Sequence, residues 1–232
     1  MSHFFPVPQH INACDGISSY LFDLHDPCQT KILISYLQPE AQLKAHAHPE
    51  RQMGMALKGS FTIQIDGKEE QLDALKNAYS IPPNITHAAI NRSGKVAIGL
   101  DIKRGVQQET FPEKQDYFIY PENKRTLRTG INMCFFVSSW CEVMLSTIPQ
   151  HASMPTHQHC GEQIGVAIQG NYIMKVGDEE ENFHFGKIYY APEEVVHGAH
   201  NPFEETAVSL NLFLPHRYNK PRQYKRGSFK WI

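Results

Sequence analysis

The sequence contains one pattern twice. The segment HAHPERQMG at 46–54 returns as HQHCGEQIG at 157–165, 111 positions later, and a later His-x3-Asn pair, His87 with Asn91, returns at His197 and Asn201. A near-constant offset over some 60 positions indicates a tandem duplication, in which each half is one folding unit. We therefore predict two similar domains, residues 1–112 and 113–232, the second ending in a basic tail.

Each half reads as a series of short strands. Apolar, β-branched and aromatic segments such as KILISYLQ and AVSLNLFLP alternate with turn segments such as IDGKE and VGDEE. Many short strands in a unit of this size predict an all-β sandwich or barrel. One segment, 69–76, is the single candidate for a helix, and the polar, proline-bearing segment 105–128 is predicted to be the linker.

Composition excludes several classes of function. The formal net charge is -2, and no long basic run is present, so nucleic-acid and membrane-surface binding are not expected. The chain has no run of 18 apolar residues and no secretory leader pattern at its start. Five cysteines without C-x-x-C spacing indicate reduced thiols, so we expect a cytoplasmic protein.

The repeated residues have the spacing of a metal site. Residues two apart on a strand share a face, so His46, His48 and Gln52 can project to one side, as can the set at 157–163. One histidine from a distant strand would complete each site with three imidazoles and one amide oxygen. Chance histidines in a core are the alternative, which the two matching copies disfavour. The predicted ligands are His46, His48, Gln52, His87, His157, His159, Gln163 and His197.

At these residues the sequence resembles the cupin superfamily, whose two motifs are G-x5-H-x-H-x3-4-E-x6-G and G-x5-P-x-G-x-x-H-x3-N. Both halves match, with departures: Glu40 replaces the opening Gly, and Asn84 and Glu194 replace the internal Gly. The chief departure is Gln in the usual Glu position, in both halves. The resemblance implies two tandem jelly-roll β-barrels.

Among bicupins, the chain resembles the isomerases of bacilysin (anticapsin) biosynthesis over essentially its whole length. The resemblance rests on the two H-x-H-x3-Q-I/M-G motifs, DIKR at 101–104, DYF at 116–118, FFV at 135–137 and PHRYN at 215–219. It implies an isomerase that moves a ring double bond of dihydro-hydroxyphenylpyruvate, a cyclohexadienyl 2-oxo acid. It also implies one divalent metal cation in each domain, and Tyr218 as a substrate-binding and catalytic residue.

Glutamine in place of glutamate changes the chemistry of the site. Its neutral oxygen leaves the metal charge uncompensated, so a chelating 2-oxo acid should bind well, and a separate group must transfer the proton. Tyr218 is our candidate beside the substrate, and Arg217 is a candidate partner for its carboxylate. Glu142 has suitable chemistry for the base, although no spacing singles it out.

Two other functions remain open at this stage, an iron-dependent cupin dioxygenase and a non-catalytic bicupin that binds a metal or small ligand. We favour Fe2+ or Co2+ as the metal, although the ligand set itself does not separate them from Zn2+, Ni2+ and Mn2+. We favour the second site for catalysis because PHRYN follows the last strand of the second half. The sequence leaves the oligomeric state open, and a homodimer is one possibility.

Overall fold

The structure is a computed structural model and describes residues 2–106, 116–215 and 230–231. Contacts divide the chain into two units. Residues 7–120 form the first, which we call the first barrel, and residues 1–6 with 121–232 form the second barrel. The described residues form strands, turns and loops but no helix, and so none of them belongs to a helix that could cross a membrane.

The first barrel packs two antiparallel sheets face to face. One sheet has the order β1-β2-β3-β10-β5-β8-β11 and the other β4-β9-β6-β7. The strands are β1 Gln9–Cys14, β2 Ile17–Asp23, β3 Lys31–Leu37, β4 Gln42–His46, β5 Arg51–Lys58, β6 Ser60–Ile65, β7 Lys68–Asp73, β8 Ala78–Ile81, β9 His87–Ile90, β10 Ala97–Arg104 and β11 Phe118–Ile119.

The second barrel repeats this arrangement, with sheets ordered β12-β13-β14-β21-β16-β19 and β18-β17-β20-β15-β22. Its strands are β12 Glu122–Thr126, β13 Asn132–Val137, β14 Glu142–Ile148, β15 Ser153–Gln158, β16 Glu162–Gln169, β17 Tyr172–Val176, β18 Glu179–Phe183, β19 Ile188–Ala191, β20 His197–His200, β21 Ala207–Leu214 and β22 Lys230–Trp231. The prediction of an all-β chain with two barrels is confirmed.

The one candidate for a helix, residues 69–76, is not helical in the structure. Residues 68–73 form β7, which pairs with β6 across a hairpin turn at Asp66 and Gly67. Both turn residues have positive φ, 48° and 77°, the conformation that matches the twist of a two-residue hairpin. Leu72 is fully buried between more exposed neighbours, which is the alternation of a strand with one face in the core.

The units end at different residues from the predicted domains. Phe118–Ile119 pairs with β8 of the first barrel, and β12 pairs with β13 of the second. Part of the predicted linker at 105–128 therefore belongs to one sheet of each barrel. The first residues of the chain belong to the second barrel, where the Phe5 ring lies edge-on to Phe183 with centroids 5.5 Å apart. The boundary between the units therefore falls at 120/121 instead of 112/113.

The asparagine that follows each motif histidine is a structural residue. Asn91 is fully buried, and its Nδ2 donates to the carbonyl oxygens of Leu37, Gln38 and Lys95. Asn201 does the same in the second barrel with the carbonyls of residues 148, 149 and 205. Each asparagine thus satisfies buried backbone acceptors where two loops meet, which explains its repetition without any contact to a ligand.

The three residues that depart from the glycine positions of the cupin motifs keep a glycine-like backbone. Glu40, Asn84 and Glu194 have φ of 63°, 60° and 59°. Asparagine tolerates this left-handed region, and glutamate enters it at a cost in strain. The departures therefore alter the side chains at these turns but preserve the turns themselves.

Candidate functional site

Three histidines meet in the interior of the second barrel. His157 lies on β15, His159 follows that strand, and His197 begins β20, the strand that pairs with β15. One ring nitrogen from each lies within 4.8 Å of the others, and all three side chains are buried. Gln163 on β16 completes the set, because its Oε1 lies 2.9 Å from Nε2 of His159 and 3.1 Å from Nε2 of His197.

The first barrel builds the same cluster. His46, His48 and His87 have ring nitrogens within 4.8 Å of one another, and Oε1 of Gln52 lies 2.9 Å from Nε2 of His48. The Nε2 of His87 is buried and has no hydrogen-bond partner among the described residues. Both sets of four predicted ligands are thus brought together by the fold.

The protonation of these rings makes them suitable metal ligands. Nδ1 of His197 lies 2.8 Å from the carbonyl oxygen of Val195, and Nδ1 of His157 and of His87 face backbone carbonyls in the same way. A carbonyl only accepts, so Nδ1 must carry the proton. Burial lowers the pKa of His197 to about 3, with repulsion from His157 acting in the same direction, and burial lowers the pKa of His87 to about 4.

It follows that Nε2 of the neutral His197 carries a lone pair. That lone pair points toward Oε1 of Gln163, which also carries only lone pairs. Two acceptors facing each other at 3.1 Å repel unless a cation lies near both. The donor set of each barrel, three imidazole nitrogens and one amide oxygen, therefore fits a divalent metal ion.

A buried network holds each glutamine in this orientation. In the first barrel, Nε2 of Gln52 donates to Oδ1 of Asp101 at 2.6 Å and to the hydroxyl of Tyr79 at 3.1 Å. Tyr79 donates to the same carboxylate oxygen. Because a carboxylate cannot donate, Asp101 forces the amide nitrogen of Gln52 toward itself and the amide oxygen toward the histidines.

In the second barrel a neutral residue replaces the carboxylate. Nε2 of Gln163 donates to the Tyr189 hydroxyl and to Oδ1 of Asn211, the latter at 3.2 Å, and Tyr189 donates to Asn211 at 2.7 Å. Asp101 and Asn211 are 110 positions apart, the same offset as His87 and His197, so they are equivalent in the repeat. The sequence analysis gave no role to Tyr79 and Tyr189. The signal was available, since a tyrosine precedes the motif proline by three residues in both YSIPP and YYAPE.

The two sites also differ in the residue that is paired with the glutamine on the neighbouring strand. Lys103 is the register partner of Gln52, and Phe213 is the register partner of Gln163, so each lies on the same face as the glutamine. Burial lowers the pKa of His48, and charge repulsion from Lys103 acts in the same direction. In the second barrel Phe213 instead packs against His159, with ring centroids 5.7 Å apart.

A cavity of about 430 Å³ extends from the histidines of the second barrel. His157, His197 and Gln163 line one part of it, and its other walls are mainly apolar, including Phe135, Met144 and Phe213. Arg125 of β12 also lines it, with its guanidinium 5.7 Å from the centre of the Phe135 ring. Sequence reasoning missed Arg125 because it lies within the predicted linker.

The remaining residues that the sequence suggested for the site are Arg217, Tyr218 and Glu142. Arg217 and Tyr218 lie outside the described residues. The stretch that contains them is flanked by Leu214, which pairs with Glu162 beside the site, and by Trp231, which pairs with His157. Glu142 is fully buried on β14, opposite Phe213 in register, but it is not among the residues that line the cavity.

Comparison with known proteins gives matches over the whole chain. The cupin domain family matches residues 33–103 and 144–213. A protein of Bacillus subtilis named H2HPP isomerase is 35% identical over 223 residues, which are 96% of this chain and 93% of that protein.

Two solved structures extend the comparison. The crystal structure of AerE from Microcystis aeruginosa is 28% identical, with a TM-score of 0.84, and covers 92% of this chain and 99% of its own. Oxalate decarboxylase of Bacillus subtilis shares the fold alone, at 15% identity and a TM-score of 0.69 over 91% of this chain and 76% of its own.

The two family matches fall one in each barrel, and each contains the H-x-H pair, the glutamine and the later histidine of its cluster. Together with the relative that is similar over nearly the full length, they establish that the chain belongs to the cupin family, with two cupin domains in tandem.

Proposed function

We propose that the protein is a metal-dependent isomerase that acts on dihydro-hydroxyphenylpyruvate in biosynthesis of a bacilysin-type antibiotic. The reaction moves a ring double bond into conjugation with the pyruvyl side chain, so a proton leaves one carbon and returns at another without redox change. The observation that carries the proposal is the cavity of the second barrel, in which a metal-ligand cluster opens into an apolar chamber of about 430 Å³. The similarity to a protein named H2HPP isomerase supports the same reaction.

The ligands proposed for the metal are His157, His159, Gln163 and His197, with the corresponding four residues in the first barrel. A divalent cation held there would supply Lewis-acid chemistry toward a 2-oxo acid. Fe2+ and Co2+ are the ions we favour, and Zn2+, Ni2+ and Mn2+ also accept this donor set. Because all four ligands are neutral, the site attracts an anion, and a 2-oxo acid offers its carboxylate and ketone oxygens together.

The walls of the cavity contact the remainder of the proposed substrate. Phe135, Met144 and Phe213 provide an apolar surface for a six-membered ring and exclude water from it. Arg125 brings a positive charge to the same cavity, where it attracts an anionic substrate. The first barrel has Lys103 in the position of Phe213, so this apolar wall belongs to the second site.

Proton transfer requires a group other than the glutamine. We propose Tyr218, by its match to the family's substrate-binding tyrosine, and Arg217 as a further partner for the substrate carboxylate. Tyr218 follows the cavity-lining Phe213 by five positions, which supports its assignment to this site. Glu142 also has the chemistry of a base, but it is not among the residues that line the cavity, so we do not assign it this role.

The test is an anaerobic ultraviolet assay of metal-loaded protein with the non-conjugated dihydro-hydroxyphenylpyruvate. A growing, red-shifted band of the conjugated dienone, abolished by a chelator, supports the isomerase. Turnover that begins only when air is admitted would favour a cupin dioxygenase. Absence of change under both conditions would leave a non-catalytic bicupin that binds a metal or small ligand.

All five cysteines are free thiols, and they lie in the described part of the chain. Free thiols persist in reducing compartments, so we propose a cytoplasmic location. Fractionation of the native host, with this protein followed by antibody, tests that assignment.

A further inference from the structure

Ser146 is a buried hydroxyl with an unmet hydrogen-bonding capacity. Its residue is 2% exposed, it lines the cavity of the second barrel, and its Oγ has no hydrogen-bond partner among the described residues. Leaving a buried polar group unpaired is costly, and natural structures contain few such groups. A group of this kind inside a ligand-sized cavity indicates a partner that arrives with the ligand.

The position of Ser146 places this hydroxyl away from the metal-ligand cluster. Ser146 is the register partner of Ser209 on β21, and Asn211, which holds Gln163, is the next residue on the same face. Same-face residues are about 7 Å apart along a strand. The Ser146 layer is therefore one such step beyond Asn211 and two beyond Phe213, which is the register partner of the proposed ligand Gln163.

The first barrel supplies an internal comparison. Ser35 occupies the equivalent position, 111 residues earlier, and its Oγ is paired with Oγ of Ser19 at 2.8 Å. The register partner of Ser146 on β13 is Met133, where the first barrel has Ser19 opposite Ser35. In the second barrel, Met133 therefore stands where the first barrel has the serine that pairs with Ser35, and Ser146 lacks that hydrogen-bond partner.

We propose that Ser146 hydrogen-bonds the oxygen substituent on the ring of the substrate and so selects hydroxylated cyclic 2-oxo acids over those with a plain ring. A serine hydroxyl both donates and accepts, so it suits a ring hydroxyl or a ring ketone. Ser209 and Tyr172 line the same cavity and keep this part polar between apolar walls. The inference rests on the proposed function, because it assigns the far end of the same substrate.

The experiment measures binding, with two aromatic analogues that cannot undergo the ring shift. Dissociation constants of 4-hydroxyphenylpyruvate and phenylpyruvate are determined by calorimetry on metal-loaded protein, for the wild type, Ser146→Ala and Ser35→Ala. One added hydrogen bond predicts about tenfold tighter binding of the hydroxylated analogue by the wild type. Ser146→Ala should bind both analogues with the affinity that the wild type has for phenylpyruvate, and Ser35→Ala should keep the wild-type ratio.

The outcomes separate this inference from the proposed function. If both analogues bind but Ser146→Ala leaves their ratio unchanged, the assignment of Ser146 is overturned while the substrate class stands. Equal affinity for the two analogues in the wild type overturns it as well. If neither analogue binds, the proposed substrate class fails, and the assignment of Ser146 fails with it.

Discussion

Gly165 and Tyr189 are register partners on adjacent strands of the second barrel, and a Cβ on Gly165 would lie 1.9 Å from Cε1 of the tyrosine ring. In the first barrel a Cβ on Gly54 would lie 2.4 Å from the Tyr79 hydroxyl. The glycine two positions after each motif glutamine therefore makes room for the tyrosine that orients that glutamine. The H-x-H-x3-Q-x-G pattern thus specifies both the proposed ligands and the support behind one of them.

Removal of the tyrosine hydroxyl should weaken metal binding without removing a ligand. In Tyr189→Phe, Nε2 of Gln163 loses one of its two acceptors, and the amide becomes free to turn its oxygen away from the histidines. Loss of such a supporting hydrogen bond typically costs 10–100-fold in metal affinity. Titration with Co2+, followed by its absorption spectrum, measures the affinity of each site. Tyr79→Phe is the matched control and should weaken only the first site.

Alanine in place of one motif histidine should empty one barrel. His157→Ala is expected to reduce the metal content of the loaded protein by about half, because the two clusters do not share ligands. It should also abolish isomerisation, whereas His46→Ala should lose the same amount of metal and retain most of the activity. Elemental analysis and the ultraviolet assay on the same samples check both parts. Equal loss of activity in the two variants would contradict catalysis in the second barrel.

A charge introduced at the glutamine should act on the substrate more than on the metal. Gln163→Glu keeps an oxygen ligand beside His159 and His197 but adds a negative charge to a neutral donor set. We expect metal to be retained and the dissociation constant for 4-hydroxyphenylpyruvate to rise by about tenfold or more. Gln52→Glu is the control in the first barrel. An unchanged affinity in Gln163→Glu would refute the electrostatic explanation for the glutamine.

The metal-free protein should lose stability as the pH falls from about 6.5. The pKa values of His87 and His197 are lowered to about 4 and about 3, while an unfolded histidine titrates near 6.5. Between these values the unfolded chain binds more protons, so the free energy of unfolding decreases with decreasing pH, by at most about 1.4 kcal/mol per pH unit for each histidine. Urea unfolding between pH 7 and 5 measures this slope. His197→Asn should show a smaller slope, and an unaffected slope would contradict a lowered pKa of His197 in the folded protein.

Alanine at the two equivalent serines, Ser35 and Ser146, should affect the free energy of unfolding differently. Ser35→Ala leaves the buried hydroxyl of Ser19 unpaired and should lower the free energy of unfolding by about 1–3 kcal/mol. Ser146→Ala removes a hydroxyl that has no partner among the described residues, so it should leave the stability of the ligand-free protein unchanged or raise it. Urea unfolding of both variants without ligand makes the comparison. A destabilisation of Ser146→Ala equal to that of Ser35→Ala would indicate that Ser146 serves the fold alone.

The strand pattern predicted the barrels well because alternation along a strand is local and leaves a direct trace in the sequence. The candidate helix at 69–76 is absent for a local reason too, since the Asp66–Gly67 hairpin decides the conformation of the residues that follow it. The predicted linker failed because the pairing of residues 118–119 with β8 depends on a strand 40 residues earlier, which no local pattern records.

The sequence by itself determined the duplication and the all-β fold, and it predicted the eight residues that the structure gathers into two clusters, because a repeated motif with fixed spacing on extended backbone allows few other arrangements. Only the tertiary structure revealed Tyr189 behind Gln163, Arg125 at the cavity and the unpaired hydroxyl of Ser146. These residues lie on different strands, and their roles arise from cross-strand register and from the space left between side chains. Register and space are set by the packing of the whole barrel, so they appear only when the chain is folded.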